Sequence, residues 1–169
     1  DGVIDMVKQI LICGDADSAF RALCMDLPDS GGREAKCIGG FIWKDGQLGS
    51  MVSGKRELIA GCATDPTFGR CVMLGVGGIF AEILADVVFR LVPLTRTDAE
   101  EMLDELVNRA FLGPFRGEPA VDRERLVDVL VGLGKVAQED PTVRSIDVNP
   151  LIVANGVPIA VDALIEVEA

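Results

Sequence analysis

Apolar positions along this chain change spacing several times, and the changes mark its elements. Short alternating or continuous apolar runs predict strands at 3–12, 37–43, 57–63, 70–75 and 86–92. Helical spacing appears three times. Ala16, Ala19, Phe20 and Leu23 make the stripe of a short helix over 14–27, with Asp15 or Asp17 as its cap. Ala99, Met102, Leu103, Leu106 and Val107 follow a start at Thr95, with Thr97 or Asp98 capping. Leu126, Val129, Leu130, Leu133 and Val136 form the buried face of a helix over 122–139, closed by Pro141. The segment 28–36 is a polar, glycine-containing loop, and 112–120 is a second loop rich in Gly and Pro. Strands first, then two helices, then a terminal hairpin predict an α+β fold, with helices on one face of a largely antiparallel sheet.

The hairpin carries the most chemistry. Asn155-Gly156 between two apolar runs predicts a two-residue turn that pairs Ala154 with Val157. Continued back along both strands, that register sets Val153 against Pro158, Pro150 against Val161 and Asn149 against Asp162. Asp147, two residues before Asn149, shares its face. Directly opposed side chains have Cβ atoms about 4.5–5.5 Å apart, so a carboxylate and an amide oxygen there can share a hard cation such as Mg²⁺. Pro150 falls at a hydrogen-bonded position and predicts a bulge or an edge. Spacing alone favours the plainer alternative, an ordinary hairpin whose Asp and Asn face water.

Composition narrows the function. The 169 residues suit one domain or two small lobes, and 49% of them are hydrophobic, enough for a core. A net charge of −11 disfavours nucleic acid and anionic membrane as partners. No apolar run approaches the ~20 residues of a membrane span. Cys13, Cys24, Cys37, Cys62 and Cys71 lack a C-x-x-C pair and are expected to be reduced, mostly buried thiols of a cytoplasmic protein. There is no histidine, which excludes imidazole metal sites and Ser-His or Cys-His catalysis within this chain. Because the first residue is Asp1 and not Met, a processed product or a fragment is expected.

Gly75, Gly77 and Gly78 follow a predicted strand directly. Such a run lets backbone approach a ligand and lets N–H groups converge on phosphate oxygens. Its spacing matches neither the Walker nor the full dinucleotide pattern, and a plain glycine-rich bulge explains it as well. Glu57, Glu82, Asp86 and Arg90 flank it and read singly as solvated charges or surface ion pairs.

Five segments in order change this balance: Arg56 to Ile59, Asp65 to Gly69, Met73 to Phe80, Phe89 to Leu94 and Ile146 to Leu151. The series resembles the ATP-grasp domain of the ADP-forming acyl-CoA synthetases, relatives of the succinyl-CoA synthetase β subunit. The resemblance is close from Gly54 onward and looser over 2–27. It implies that Asn149 and Asp162 hold Mg²⁺ with the nucleotide phosphates. Asp147 is implied as the catalytic acidic position facing an incoming phosphohistidine. Gly75, Gly77 and Gly78, with Glu57, are implied as contacts to ATP or ADP.

The resemblance further implies residues 1–36 as a remnant of the first ATP-grasp lobe and 37–169 as the C-terminal lobe. The reaction implied joins acid, CoA and ATP to give acyl-CoA, ADP and phosphate. The partners implied are CoA-binding and ligase domains or subunits that supply the histidine, so the isolated chain is expected to be inactive. At 42–52 the chain departs from the pattern, with an apparent insertion and without the usual hinge Glu. Apolar residues Phe41, Ile42 and Trp43 are expected to drive self-association into a homo-oligomer, or docking to a partner, through 37–52, unless the insertion at 44–49 folds back as a hairpin and caps the surface. The alternative role is a truncated, non-catalytic ATP-grasp module serving regulation or assembly, as in acetyltransferase fusions.

Overall fold

The computed structural model describes residues 35–36, 41–44, 47–78 and 85–167, with side chains from residue 52 onward. The strand expected over 3–12, the helix over 14–27 and Glu82 lie outside the described residues. The strands are β1 (Ala35–Lys36), β2 (Phe41–Lys44), β3 (Gln47–Met51), β4 (Arg56–Asp65), β5 (Gly69–Val76), β6 (Val87–Leu91), β7 (Val143–Ala154), β8 (Val157–Ala160) and β9 (Ala163–Val167). Between β6 and β7 come α1 (Arg96–Glu105), a 3-10 turn (Arg109–Leu112) and α2 (Arg123–Glu139).

All pairings of the main sheet are antiparallel, in the order β1-β9-β7-β4-β5-β6, with β8 also on β7. The expected α+β class and one-sided helix layer are observed. Leu58, Ala60 and Cys62 of β4, Val72 and Leu74 of β5, and Ile146, Val148, Leu151 and Val153 of β7 are buried in one core with Met102, Leu103, Leu126, Leu130 and Leu133 of the helices. Alternate residues of the same strands form the opposite, open face. β2 and β3 make a separate two-stranded hairpin, with Lys44 paired to Gln47. β2 and β3 thus pair back on each other, and their side chains lie outside the described residues.

Several expectations need correction. Thr95 itself caps α1: its side chain accepts from the Asp98 N–H, and Asp98 answers onto the Thr95 N–H. A threonine with an acid three residues on satisfies two otherwise orphaned donors, which Thr97 cannot do. Val107 lies beyond the end of α1 and is 84% exposed, so it leaves the buried stripe. Ala35 and Lys36, expected in a loop, pair with β9. Asp86, read as a solvated charge, is buried. Its carboxylate accepts N–H groups from Val107 and Asn108.

Two arginines join the sheet to the helix layer. Arg56, fully buried, donates to the carbonyls of Phe111, Gly113 and Pro119, at 3.2, 2.7 and 2.5 Å. Arg70 donates to Ala137, and to Asp140, Pro141 and Val143 at 2.8, 2.9 and 3.1 Å, fastening the end of α2. Carbonyls left over at loop and helix ends need donors, and guanidinium supplies several in one plane.

Candidate functional site: the open face of the sheet

The hairpin register runs unbroken from Ala154↔Val157 through Leu151↔Ala160 to Val148↔Ala163 and Asp147↔Leu164. Between these ladders, Val161 donates to the Pro150 carbonyl and Asn149 donates to the Asp162 carbonyl, both at 3.2 Å. Asn149 and Asp162 are therefore opposed, and Pro150 faces Val161. Pro150 produces a bulge, not an edge. On β4, Leu58 pairs with Leu151 and Ala60 with Val148, so Ile59 alone faces both Asn149 and Pro150.

That bulge reverses the alternation of β7. Before it, Ile146 and Val148 are buried while Asp147 and Asn149 are exposed; after it, Leu151 and Val153 are the buried ones. Without the extra residue, Asn149 would share a face with Leu151 and Val153. On the facing segment Val161, Ala163 and Ile165 are buried, which turns Asp162 and Leu164 to the open face.

The open face divides into two halves. Level with Asp147 lie Leu164 on β9, Gly61 on β4, Met73 on β5 and Phe89 on β6. One half holds Asp147, Asn149 and Asp162. The other holds Met73 with Phe89 and Leu91, which are 56% and 53% exposed. Gly61 forms the floor between them, and a Cβ there would lie 2.4 Å from the Ile146 carbonyl oxygen. Glycine is thus required by the close approach of β4 to β7.

The glycine run lies at the end of β5. The Gly77 N–H donates to the Glu57 carbonyl at 2.8 Å and the Val76 N–H to the Asp86 carbonyl at 3.1 Å. The Gly77 N–H is therefore engaged within the protein, which narrows the expected phosphate-facing donors. Gly78 has φ +67, and a Cβ on it would come within 3.0 Å of Glu57 Oε2. Glycine here admits both the left-handed backbone and the Glu57 carboxylate beside it. Gly75 pairs with Ile59 and Val87 within the sheet.

Electrostatics fit a cation on the acidic half. Partial burial, followed by the neighbouring Asp162 carboxylate, pushes the Asp147 carboxyl above its ordinary value. A positive ion would relieve that repulsion. Among the described residues no group of three or more His, Cys, Asp or Glu side chains could hold a metal. A cation held by the Asn149 amide oxygen and Asp162, beside Asp147, would draw its remaining oxygens from a bound ligand, the habit of Mg²⁺. Of the cysteines, Cys62 is buried and burial pushes its thiol up to about 11, while Cys71 is half-buried. The other three lie outside the described residues.

Sequence reading missed Asp86, Arg56 and Gly61. Apolar neighbours were the available signal for Asp86; Arg56 stands in the charged run Lys55-Arg56-Glu57, and nothing in the local sequence marks its burial or Gly61.

A family profile described as an ATP-grasp domain matches residues 44–167. Acetate–CoA ligase [ADP-forming] I subunit beta of Pyrococcus furiosus is 47% identical over 108 residues, covering 64% of this chain and 47% of that protein. Trans-feruloyl-CoA synthase FCS1 of an unknown prokaryotic organism is 37% identical over 160 residues, 93% of this chain and 20% of that protein. The chain thus spans about half the length of the first relative and a fifth of the second. Among solved structures, acetyl-coenzyme A synthetase 1 of Ca. Korarchaeum cryptofilum matches with TM-score 0.64 and 39% identity, over 72% of this chain and 56% of that one. That protein was captured with coenzyme A and Mg-AMPPCP, its phosphohistidine segment pointing towards the nucleotide binding site. Matched over most of its length by the family profile, the chain belongs to the ATP-grasp family.

Proposed function

We propose that the open face binds a Mg²⁺–adenine nucleotide for the reversible reaction of acid, CoA and ATP to acyl-CoA, ADP and phosphate. The observation that carries this is the opposition of Asn149 and Asp162 beside a carboxyl, Asp147, whose proton affinity is raised. The bulge at Pro150 interrupts the regular ladder, and through it Asp147 and Asn149 lie on the open face while Leu151 and Val153 stay in the core.

Asn149 and Asp162 would hold Mg²⁺, which when bound neutralises phosphate charge. Asp147 lies beside them, where it can accept a hydrogen bond from, and orient, an imidazole approaching the face. Glu57 and Gly78 form the far rim. Gly61 keeps the floor low, so that a ligand can lie across β4 between the acidic half and Met73 and Phe89. The chain has no histidine, so the phosphorylated residue must come from a CoA-binding or ligase domain or subunit. Residues 37–169 would be the C-terminal lobe, 1–36 would be part of the first, and buried Cys62 suits a reducing, cytoplasmic setting. No described helix is long and apolar enough to cross a membrane.

Calorimetry with Mg-ADP and Mg-ATP tests the proposal. Saturable binding that requires Mg²⁺ and is lost in Asp162→Ala is expected. Absence of binding by the folded chain would instead favour a non-catalytic module.

A further inference from the structure

Asp86 is tied in two directions. It is 4% exposed, and its carboxylate accepts the Val107 N–H at 2.9 Å, the Asn108 N–H at 2.7 Å and the Asn108 side-chain amide at 3.0 Å. Val107 and Asn108 form the corner between α1 and the 3-10 turn. The backbone of Asp86 points the other way. Its carbonyl accepts the Val76 N–H, and a Cβ on Gly75 would lie 3.0 Å from that oxygen. Val76 is the last residue of β5 before Gly77 and Gly78. One residue thus joins the helix corner to the glycine run at Val76, where the chain enters Gly77 and Gly78.

Removing a carboxylate from water costs several kcal/mol unless donors replace its hydration. Three N–H groups do so here, all from one corner. The glycine run is held from its other side by the Glu57 carbonyl on Gly77. It is therefore pinned between β4 and Asp86, and the place of Gly78 beside the Glu57 carboxylate depends on both attachments.

We propose that Asp86 is a positioning residue for nucleotide binding, holding the glycine run at a fixed height above the open face through the α1 corner. This rests on the nucleotide-binding role proposed above. Asp86→Asn is the sharpest test. One acceptor oxygen becomes an NH₂ that confronts N–H donors, with little change in size.

Three quantities are measured on the full chain. They are the Kd for Mg-ADP, the Kd for Mn²⁺ alone by water-proton relaxation, and amide hydrogen exchange. The expected result is a Mg-ADP Kd raised tenfold or more and a Mn²⁺ Kd within twofold, since Mn²⁺ reports the separate Asn149–Asp162 position. Exchange should quicken at Val76 and Gly77 but not in β7. Unchanged Mg-ADP affinity overturns the proposal. So does a parallel loss of both affinities with faster exchange throughout, because that is general loosening. If Asp86→Asn does not fold, Asn108→Ala removes one of the three donors. A roughly threefold rise in the Mg-ADP Kd is then expected, and no rise overturns the proposal. Wild-type chain that binds Mn²⁺ but not Mg-ADP sinks the nucleotide-binding role itself, and this role of Asp86 with it.

Discussion

Asn149 and Asp162 meet across the junction between the β7–β8 and β7–β9 ladders, where the Asn149 N–H donates to the Asp162 carbonyl at 3.2 Å. Their side chains belong to the face that the helices leave open. Asp162→Ala should weaken Mg-ADP binding tenfold or more, about 1.4 kcal/mol. It should leave the thermal midpoint unchanged or slightly raised, because the Asp162 carboxylate repels that of Asp147. Calorimetry and a melting curve on the same preparation check both halves.

Asp147 gives a pH signature. Its carboxyl is raised in the folded state, so the folded protein holds that proton more tightly than the unfolded chain. The stability this contributes is fully present below the ordinary carboxylate value. It is lost as pH climbs through the raised folded value, and then levels off. Asp147→Asn should remove this fall and leave the protein more stable than wild type at neutral pH. Urea midpoints measured across that range decide it; a fall of equal size in the variant would assign the effect to another group.

Arg56 is fully buried, with three loop carbonyls and Glu118 around it. Arg56→Met strands those three carbonyls and takes the guanidinium from the half-buried Glu118 carboxylate, and should cost about 3–5 kcal/mol in urea unfolding. Arg56→Lys should recover only part of this, since one ammonium cannot reach all three carbonyls in the plane that guanidinium matches.

Gly61 should tolerate no side chain. An added Cβ meets backbone, the Ile146 carbonyl oxygen at 2.4 Å, so β4 and β7 would have to separate. Gly61→Ala is expected to destabilise by about 2 kcal/mol or more and to weaken Mg-ADP binding in the fraction that stays folded. Gly69→Ala is the comparison. Nothing lies within 4 Å of its Cβ and only its φ of +86 is unfavourable, so it should cost about 1 kcal/mol.

Incubated with labelled ATP, the isolated chain should acquire no acid-labile phosphate, because it has no histidine to carry it. Acid-labile label on this chain would refute the division of labour proposed for it.

The register of the terminal hairpin was legible in the chain because Asn155-Gly156 fixes a two-residue turn and pairing is then a matter of counting. The glycine run, the apolar stripes of both helices and the α+β class were legible too, since each depends on local conformational preference or on a repeating period. Tertiary structure decided what local preference leaves open. Pro150 allowed either a bulge or an edge, and the position of β7 between β4 and β9 made it a bulge, because a central strand must pair on both sides. Thr95, Thr97 and Asp98 could each begin a helix, and the reciprocal bonds of Thr95 with Asp98 selected the first. Asp86 and Arg56 have the local sequence of surface charges. They became buried anchors because loop and helix ends, distant in sequence, brought unpaired N–H and carbonyl groups to them, and buried polar groups without partners are costly.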